Sequence, residues 1–355
     1  MLTPKFAHGK PSFHAVLKNR INEYFETSGK DETGGGRLFW KAVFLLCASI
    51  YVYVQLVFFT PGILISILLC ILLGVLTAAI GFNIMHDGGH GSFSKYKWMN
   101  KAAAATAEFV GASHFMWHTK HNIIHHTYTN IDGIDDDIDA KPFLRMASSQ
   151  KRYKMHRFQH WYFWFFYAIL HLYWTTLSDF RKYFSKKVGN IPLKKMTRKD
   201  HISFWIYKII YYGLFVVIPI IRLGVIDWLI GFSIFTCVTG FILSIVFQLA
   251  HTVEHTAFPE ADGQNKIADE WAIHQLKTTA NFATKNKVIS WFVGGLNFQV
   301  EHHLFPKISH IHYPEISKII RETCTEFNVV YIEYKRLYQA VFSHIAFLKQ
   351  MGKAA

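Results

Sequence analysis

The stretch LFWKAVFLLCASIYVYVQLVFF at 38–59, followed by the turn TPG at 60–62 and by ILISILLCILLGVLTAAIGFNI at 63–84, decides the architecture. Leu38 to Phe59 carries one charge, Lys41 near its start, and Gly62 to Ile84 carries none. Each run supplies the roughly 20 apolar residues that a bilayer-spanning helix needs. Thr60-Pro61-Gly62 joins them as a hairpin turn. Two residues after the second run stands His86-Asp-Gly-Gly-His90.

The pattern returns later in the chain. Phe204 to Ile221 and Val225 to Ala250 form a second pair of apolar runs, split at Arg222-Leu-Gly-Val-Ile-Asp227. The expected fold is therefore an all-α integral membrane protein: four transmembrane helices in two hairpins, with interfacial helices and a cytosolic histidine-rich cap. A fifth apolar segment, Trp161 to Leu177, is short and aromatic. It is preceded by Lys151, Arg152, Lys154 and Arg157 and followed by Arg181, Lys182, Lys186 and Lys187. A spanning helix should show charge asymmetry, so 161–177 reads as interfacial, as does the short stretch 102–117. The loops inside both hairpins are nearly free of Lys and Arg, which puts the other loops and both termini in the cytosol. No cleavable signal peptide is expected, because the first long apolar run begins near residue 38 and passes directly into a second. The organisation read from this pattern is a cytosolic N-terminal segment (1–37), a membrane domain (38–313) and cytosolic C-terminal helices (314–355).

Composition agrees with that placement. The chain has 355 residues, 51% of them hydrophobic and 17% aromatic, with a formal net charge of +14. Basic residues flank apolar runs and form no recognisable nucleic-acid module, so nucleic acid binding is excluded and the charge is assigned to the positive-inside rule and to anionic lipid. Cys47, Cys70, Cys237 and Cys324 are scattered with no Cys-x-x-Cys, which argues against both a disulfide framework and a thiolate metal site.

Histidines carry the functional reading. His86 and His90, His121 and His125, and His251 and His255 are each four apart, close enough on a helix to point two imidazoles one way; His126, His302 and His303 adjoin these spacings. Nine histidines exceed the three or four protein ligands of one zinc, so they suit two metal ions with several nitrogens each. The second run ends just before His86 and the fourth just before His251, so the two hairpins deliver imidazoles at one depth, and the segments 121–126 and 299–303 can close over them. His251 either binds directly or acts through water, leaving His255 as the direct ligand. Gln299, one turn before His302, either hydrogen-bonds to orient a ligand or water or binds a metal directly. His114 and His118, although four apart and near His121, are set aside with the remaining histidines as surface or hydrogen-bonding groups.

The acidic loop Asp132-Gly-Ile-Asp135-Asp136-Asp137-Ile-Asp139 lacks the later glutamate and the spacing of an EF-hand. Its bland reading is a solvated loop. Asp87, Glu254 and Glu301 each stand beside a histidine and are candidates to support one by hydrogen bonding.

In His86-x-x-x-His90, in Trp117 followed by His121-x-x-x-His125-His126, and in Gln299-x-x-His302-His303-Leu-Phe-Pro306, the chain resembles the membrane fatty acyl desaturases over about 38–313. Three boxes in this order, with spans between them, are a specific pattern. Gln299 in the position of a first histidine resembles the front-end, linoleoyl-type branch, which inserts a double bond between an existing one and the carboxyl end. The resemblance implies an oxygen-dependent acyl desaturase with two iron ions held by His86, His90, His121, His125, His126, His251, His255, His302 and His303, with dioxygen as co-substrate. It also implies that Asp135 or its neighbours support ligand histidines or pair with the basic cap. Many relatives of that branch carry a cytochrome b5 module with a His-Pro-Gly-Gly haem motif that this sequence does not show, so a separate electron donor, ferredoxin or cytochrome b5, is expected. A bacterial inner membrane is favoured over the endoplasmic reticulum.

Removing hydrogen from an unactivated methylene demands a strong oxidant, which two irons make from dioxygen and two external electrons. Membrane alkane and fatty acid hydroxylases use similar histidine boxes and share the first hydrogen abstraction, so they are the rival within the class. A histidine-rich metal transporter is the rival outside it. Transport sites favour the bilayer midplane with ionisable groups inside interrupted spans, whereas these histidines gather at span ends. A long acyl chain gains about 0.8 kcal/mol per buried methylene, ample drive to leave the membrane for an apolar path between the spans.

Overall fold

The computed structural model describes residues 3–9 and 11–353. Four of its helices are long and apolar enough to cross a membrane: Gly35–Phe59, Ile63–His90, Arg198–Leu223 and Val225–His251. Each extends beyond the run read from hydropathy. The second continues through a π-helical turn, Gly81–Met85, into His86–His90, so the first histidine pair belongs to the spanning helix itself. The third begins at Arg198, where Thr197 accepts the Asp200 backbone N–H and Asp200 returns a bond to the Thr197 backbone, a reciprocal cap that lets polar residues extend the helix into the interface.

Burial grades along the hairpins. Ile63 and Leu64 are exposed at the turn end of the second span, while Leu73, Leu76, Ala78, Ala79 and Ile80 are buried toward the histidines. Exposed isoleucines at 221 and 226 mark the same end of the other hairpin. Apolar surface of this kind is what lipid covers. The second and fourth spans cross closely at Gly74, where a Cβ would lie 2.8 Å from that of Val238.

The segment expected to lie at the interface near 161–177 is a broken helical run, Gln159–Ala168, Leu170–Tyr173, Trp174–Ser178 and Asp179–Ser185. It packs on the fourth span at Gly240, whose absent side chain lets the Ala168 carbonyl approach. Residues 102–117 also form broken helices, interrupted at Gly111 with φ of 90°, a conformation that favours glycine. Neither segment is among the four long apolar helices.

Beyond the spans, helix Phe13–Ser28 buries Phe13, Leu17, Ile21 and Phe25, a four-residue spacing that lines one helix face. Full burial of each such side chain contributes about 1.5–3 kcal/mol. Their partners are Ala272, Leu276, Val300, Leu304, Ile316 and Ile320, so the N-terminal helix, the third histidine segment and helix Tyr313–Glu326 share one core. Ser12 caps the N-terminal helix, and Glu270 accepts hydrogen bonds from Ser12 Oγ and from the backbone N–H groups of Phe13 and His14. The C-terminal helix Leu337–Lys353 packs through Phe347 and Leu348 on Phe163 and Tyr167 of the broken helical run. Strands are marginal among the described residues: two parallel pairs, Lys5↔Lys266 with Phe6↔Ile267 and Asn281↔Glu333 with Phe282↔Tyr334, and one antiparallel hairpin at 187–192.

Candidate metal centre

The ends of the second and fourth spans meet the segments 119–126 and 299–304 in a buried, imidazole-filled layer. His86, His90, His121 and His302 form one group and His125, His251 and His303 another, with ligand-capable atoms in each within 4.8 Å of one another. His126 stands between them: its Nε2 is 3.3 Å from His121 Nε2, and its ring stacks on His303 at 4.5 Å between centroids. His86 Nε2 and His121 Nε2 approach to 3.2 Å.

Local chain geometry makes these approaches possible. Residues 119–125 form a π-helical turn, which is common at functional sites. His121 and His125 stack at 5.4 Å and belong to different all-histidine groups, so this pair bridges the centre. The two also come within that distance of Asp137. Both glycines of His86-Asp-Gly-Gly-His90 are needed for close contact: a Cβ on Gly88 would lie 2.4 Å from the Ala104 nitrogen, and one on Gly89 2.3 Å from the Trp117 ring. Trp117 in turn stacks on His121 at 4.8 Å.

Outer partners fix how each ring faces. His125 Nδ1 is 3.0 Å from Asp135 Oδ2, His303 Nδ1 is 2.8 Å from Gln275 Oε1, His251 Nδ1 is 3.2 Å from the Thr278 carbonyl, and His302 Nδ1 is 3.3 Å from Tyr313 OH. A ring held through Nδ1 presents Nε2 to the centre. The Nε2 atoms of His90, His125, His251, His302 and His303 are buried and have no hydrogen-bond partner among the described residues. Burying a polar nitrogen without a partner costs about 1–3 kcal/mol, so a cluster of five inward-facing ones fits nitrogen-binding metal ions.

Electrostatics agree. Burial, reinforced by neighbouring imidazoles, holds His121, His126, His302 and His303 well below the ordinary histidine range, which keeps them neutral as metal ligands must be. His125 goes the other way. Burial opposes its charge, but the carboxylate and hydrogen bond of Asp135, with Asp137 behind, raise it above the ordinary value.

The ninth histidine does not join them. The pairing of His251 with His255 assumes one continuous helix, but the fourth span ends at His251, Thr252 caps it, and His255 sits at φ of 77° with its side chain exposed. His251 is fully buried in the second group, so the reading of His255 as the direct ligand with His251 acting through water is corrected.

The candidate carboxylates divide. Asp135 holds His125. Asp87 is 2.8 Å from His310 Nδ1 and 3.7 Å from His86 Nδ1. Glu301 is buried but bonds to Tyr331 OH at 2.6 Å and Asn281 Nδ2 at 2.7 Å, and burial pushes it up to about 7 against those bonds. Glu254 is exposed, and its backbone meets Ser343 and Tyr334. Neither glutamate bonds a histidine of the centre. Gln299 is buried in the first turn of helix Gln299–Leu304. The acidic loop also pairs with the basic cap: Asp137 and Asp136 with Lys120, Asp136 with Lys182, and Asp132 and Asp139 with Lys141.

Gln275, Thr278 and Tyr313 carry no sequence signal of their roles. Asn130 is similar: its Nδ2 donates to the His251 carbonyl at 2.8 Å, tying the second histidine segment to the end of the fourth span.

The family model for fatty acid desaturase matches residues 61–335. The chain is similar to the sn-1 linoleoyl-lipid 6-desaturase of Arthrospira platensis, 36% identical over 352 residues that cover 99% of this chain and 95% of the relative. It is also similar to the protein of the same name from Synechocystis sp., 35% identical over 98% of this chain and 97% of the relative. The acyl-lipid (8-3)-desaturase of Physcomitrium patens is 35% identical over 96% of this chain and 72% of its own length. Four spans, three histidine segments meeting at their ends and these matches together establish that the chain belongs to the fatty acid desaturase family and is an oxygen-dependent fatty acyl desaturase.

Proposed function

We propose that the protein introduces a cis double bond on the carboxyl side of an existing one in a long acyl chain carried by a membrane glycerolipid. The observation that carries the chemistry is the pair of adjoining nitrogen groups with buried, unpartnered Nε2 atoms. The similarity to linoleoyl-lipid 6-desaturases over nearly the whole of both chains supports the position and the lipid carrier.

In this reading His86, His90, His121 and His302 hold one iron, His125, His251 and His303 hold the second, and His126 stands between them. When bound, the pair of irons supplies the oxidising power that removes hydrogen from an unactivated methylene with dioxygen and two external electrons. The chain's own residues orient and exclude. Asp135, Gln275, Thr278 and Tyr313 fix ring orientation through Nδ1, Trp117 and Phe247 wall the rings with apolar surface, and Gln299 orients a ligand or water. The electrons come from a separate reduced carrier, ferredoxin or cytochrome b5. The histidine end of the spans faces the cytosol, since Lys95, Lys97, Lys101, Arg198 and Lys199 gather there.

Expression in a host supplied with linoleate and a matched donor, followed by mass spectrometry of each lipid class, tests the proposal. New double bonds on the carboxyl side of the existing ones, dependent on dioxygen, are expected. Hydroxy acids without a new double bond, or desaturation confined to saturated chains, would contradict it.

A further inference from the structure

A cavity of about 460 Å³ opens beside His90, walled by the 88–91 turn, by Asn100, Lys101, Ala104, Ala105 and Glu108, by His114 and His118, and by Ser203 and Tyr207 at the start of the third span. Small residues make the room. Gly88, Gly89, Gly91, Ala104 and Ala105 line one side, so little side chain separates the cavity from the first nitrogen group. Polar groups stand among these small residues. Glu108 is buried, with Oε1 accepting the His114 backbone N–H at 2.9 Å, and His114 Nε2 is buried without a hydrogen-bond partner among the described residues. Lys101 is exposed at the edge, and the neighbouring Tyr96 and Trp98 are exposed aromatics of the kind that sit at headgroup depth.

We propose that this cavity receives the ester end and adjoining headgroup of the glycerolipid substrate, with Glu108, His114 and Tyr207 as its polar contacts. The proposal rests on the front-end reading above. A double bond placed at the sixth carbon leaves five carbon–carbon bonds of about 1.5 Å between the reacting carbon and the ester, a reach of roughly 6 Å when extended. The ester of a front-end substrate therefore lies beside the metal centre and cannot be held by a distant surface. This cavity combines contact with a histidine of the centre, polar groups able to meet an ester and hydroxyls, and a position between an interfacial helix and the start of a span. Its volume is in the range of small-molecule sites. Fixing the ester there sets the count of carbons to the metal centre, so the cavity determines where the double bond falls.

Ala105→Trp fills the cavity while leaving every histidine of the two nitrogen groups in the chain, and Glu108→Gln removes the carboxylate at constant shape. Each variant is assayed in membranes for product per lipid class and double-bond position, with iron per chain measured on the purified protein. Iron at the wild-type level is expected in both, with carboxyl-side product down at least ten-fold for Ala105→Trp and a raised KM for glycerolipid in Glu108→Gln. Undiminished product at an unchanged position in Ala105→Trp would overturn the assignment, as would loss of iron in step with product, which would make the site a support of the metals. Conversion of acyl-coenzyme A but not of glycerolipid by the purified wild type would overturn the ligand class. A wild type that makes no carboxyl-side double bond defeats the proposed function itself, and the variants are not needed to see it.

Discussion

Asp135 Oδ2 lies 3.0 Å from His125 Nδ1, and the same oxygen accepts the Asn130 backbone N–H at 2.9 Å. One carboxylate thus orients a ring of the centre and closes the turn that follows the second histidine segment. Asp135→Asn keeps the shape but replaces the charge that raises His125. Losses of this kind cost about 10–100-fold in metal affinity or activity. Iron per chain and turnover should fall together in that range, while circular dichroism stays unchanged; full iron and full turnover would remove Asp135 from the support of the centre.

His251 and His255 give a contrast that sequence spacing does not. His251→Ala deletes a buried nitrogen of the second group and should lower bound iron and abolish activity. His255→Ala alters an exposed side chain beyond the helix end and should leave iron content at the wild-type level. Metal analysis of the two purified variants checks this, and the reverse pattern would restore His255 to the centre.

Lys208 and Asp179 form a buried ion pair at 2.9 Å, with Lys208 Nζ also donating to the Gly111 and Thr175 carbonyls. Asp179 Oδ2 accepts the backbone N–H of Ser113, the residue that starts the helix leading to His121. Lys208→Met strands a buried carboxylate and should destabilise by about 3–5 kcal/mol, whereas Lys208→Met with Asp179→Asn should lose less. Thermal midpoints in detergent measure both; a double variant no better than the single would show that the stranded charge is not the cause.

His344, which meets the fourth span's end at Thr252, supplies a pH dependence of stability outside the two nitrogen groups. Its Nε2 accepts from Tyr167 OH at 2.9 Å and its Nδ1 donates to the Thr252 carbonyl at 2.6 Å, a pattern suited to the neutral ring, and burial lowers it to about 4. The unfolded chain titrates near 6.5 and so takes up this proton first as pH falls. The stabilisation is complete above 6.5, declines as pH drops, and is gone below about 4, a change of about 3 kcal/mol. His344→Gln should flatten the decline in thermal midpoint between pH 6.5 and 4; an unchanged slope would contradict this.

How much of this is written in the sequence depends on the range of the interaction. The hairpins are legible because 38–59 and 62–84 exceed a bilayer's thickness around a single turn, and the helices differ mainly by polar extensions at their histidine-bearing ends. The histidines are legible as groups because helical spacing is local. Their division is not: His121 joins His86 and His90 of the second span while His125 joins His251 of the fourth, which no spacing encodes. His255 misleads for the same reason, since four-residue spacing has meaning only while the helix lasts. The partners that orient the rings sit on other elements at no helical spacing, as with Gln275 and His303, 28 residues apart. The cavity beside His90 is a negative shape left by small residues in three separate segments, and it leaves no motif.

Metal analysis of protein purified from membranes is the decisive measurement. Two irons per chain, both lost on removing His302 from one group and His303 from the other, are expected of a centre built from adjoining nitrogen groups. A single iron, or zinc in its place at full desaturase activity, would contradict it.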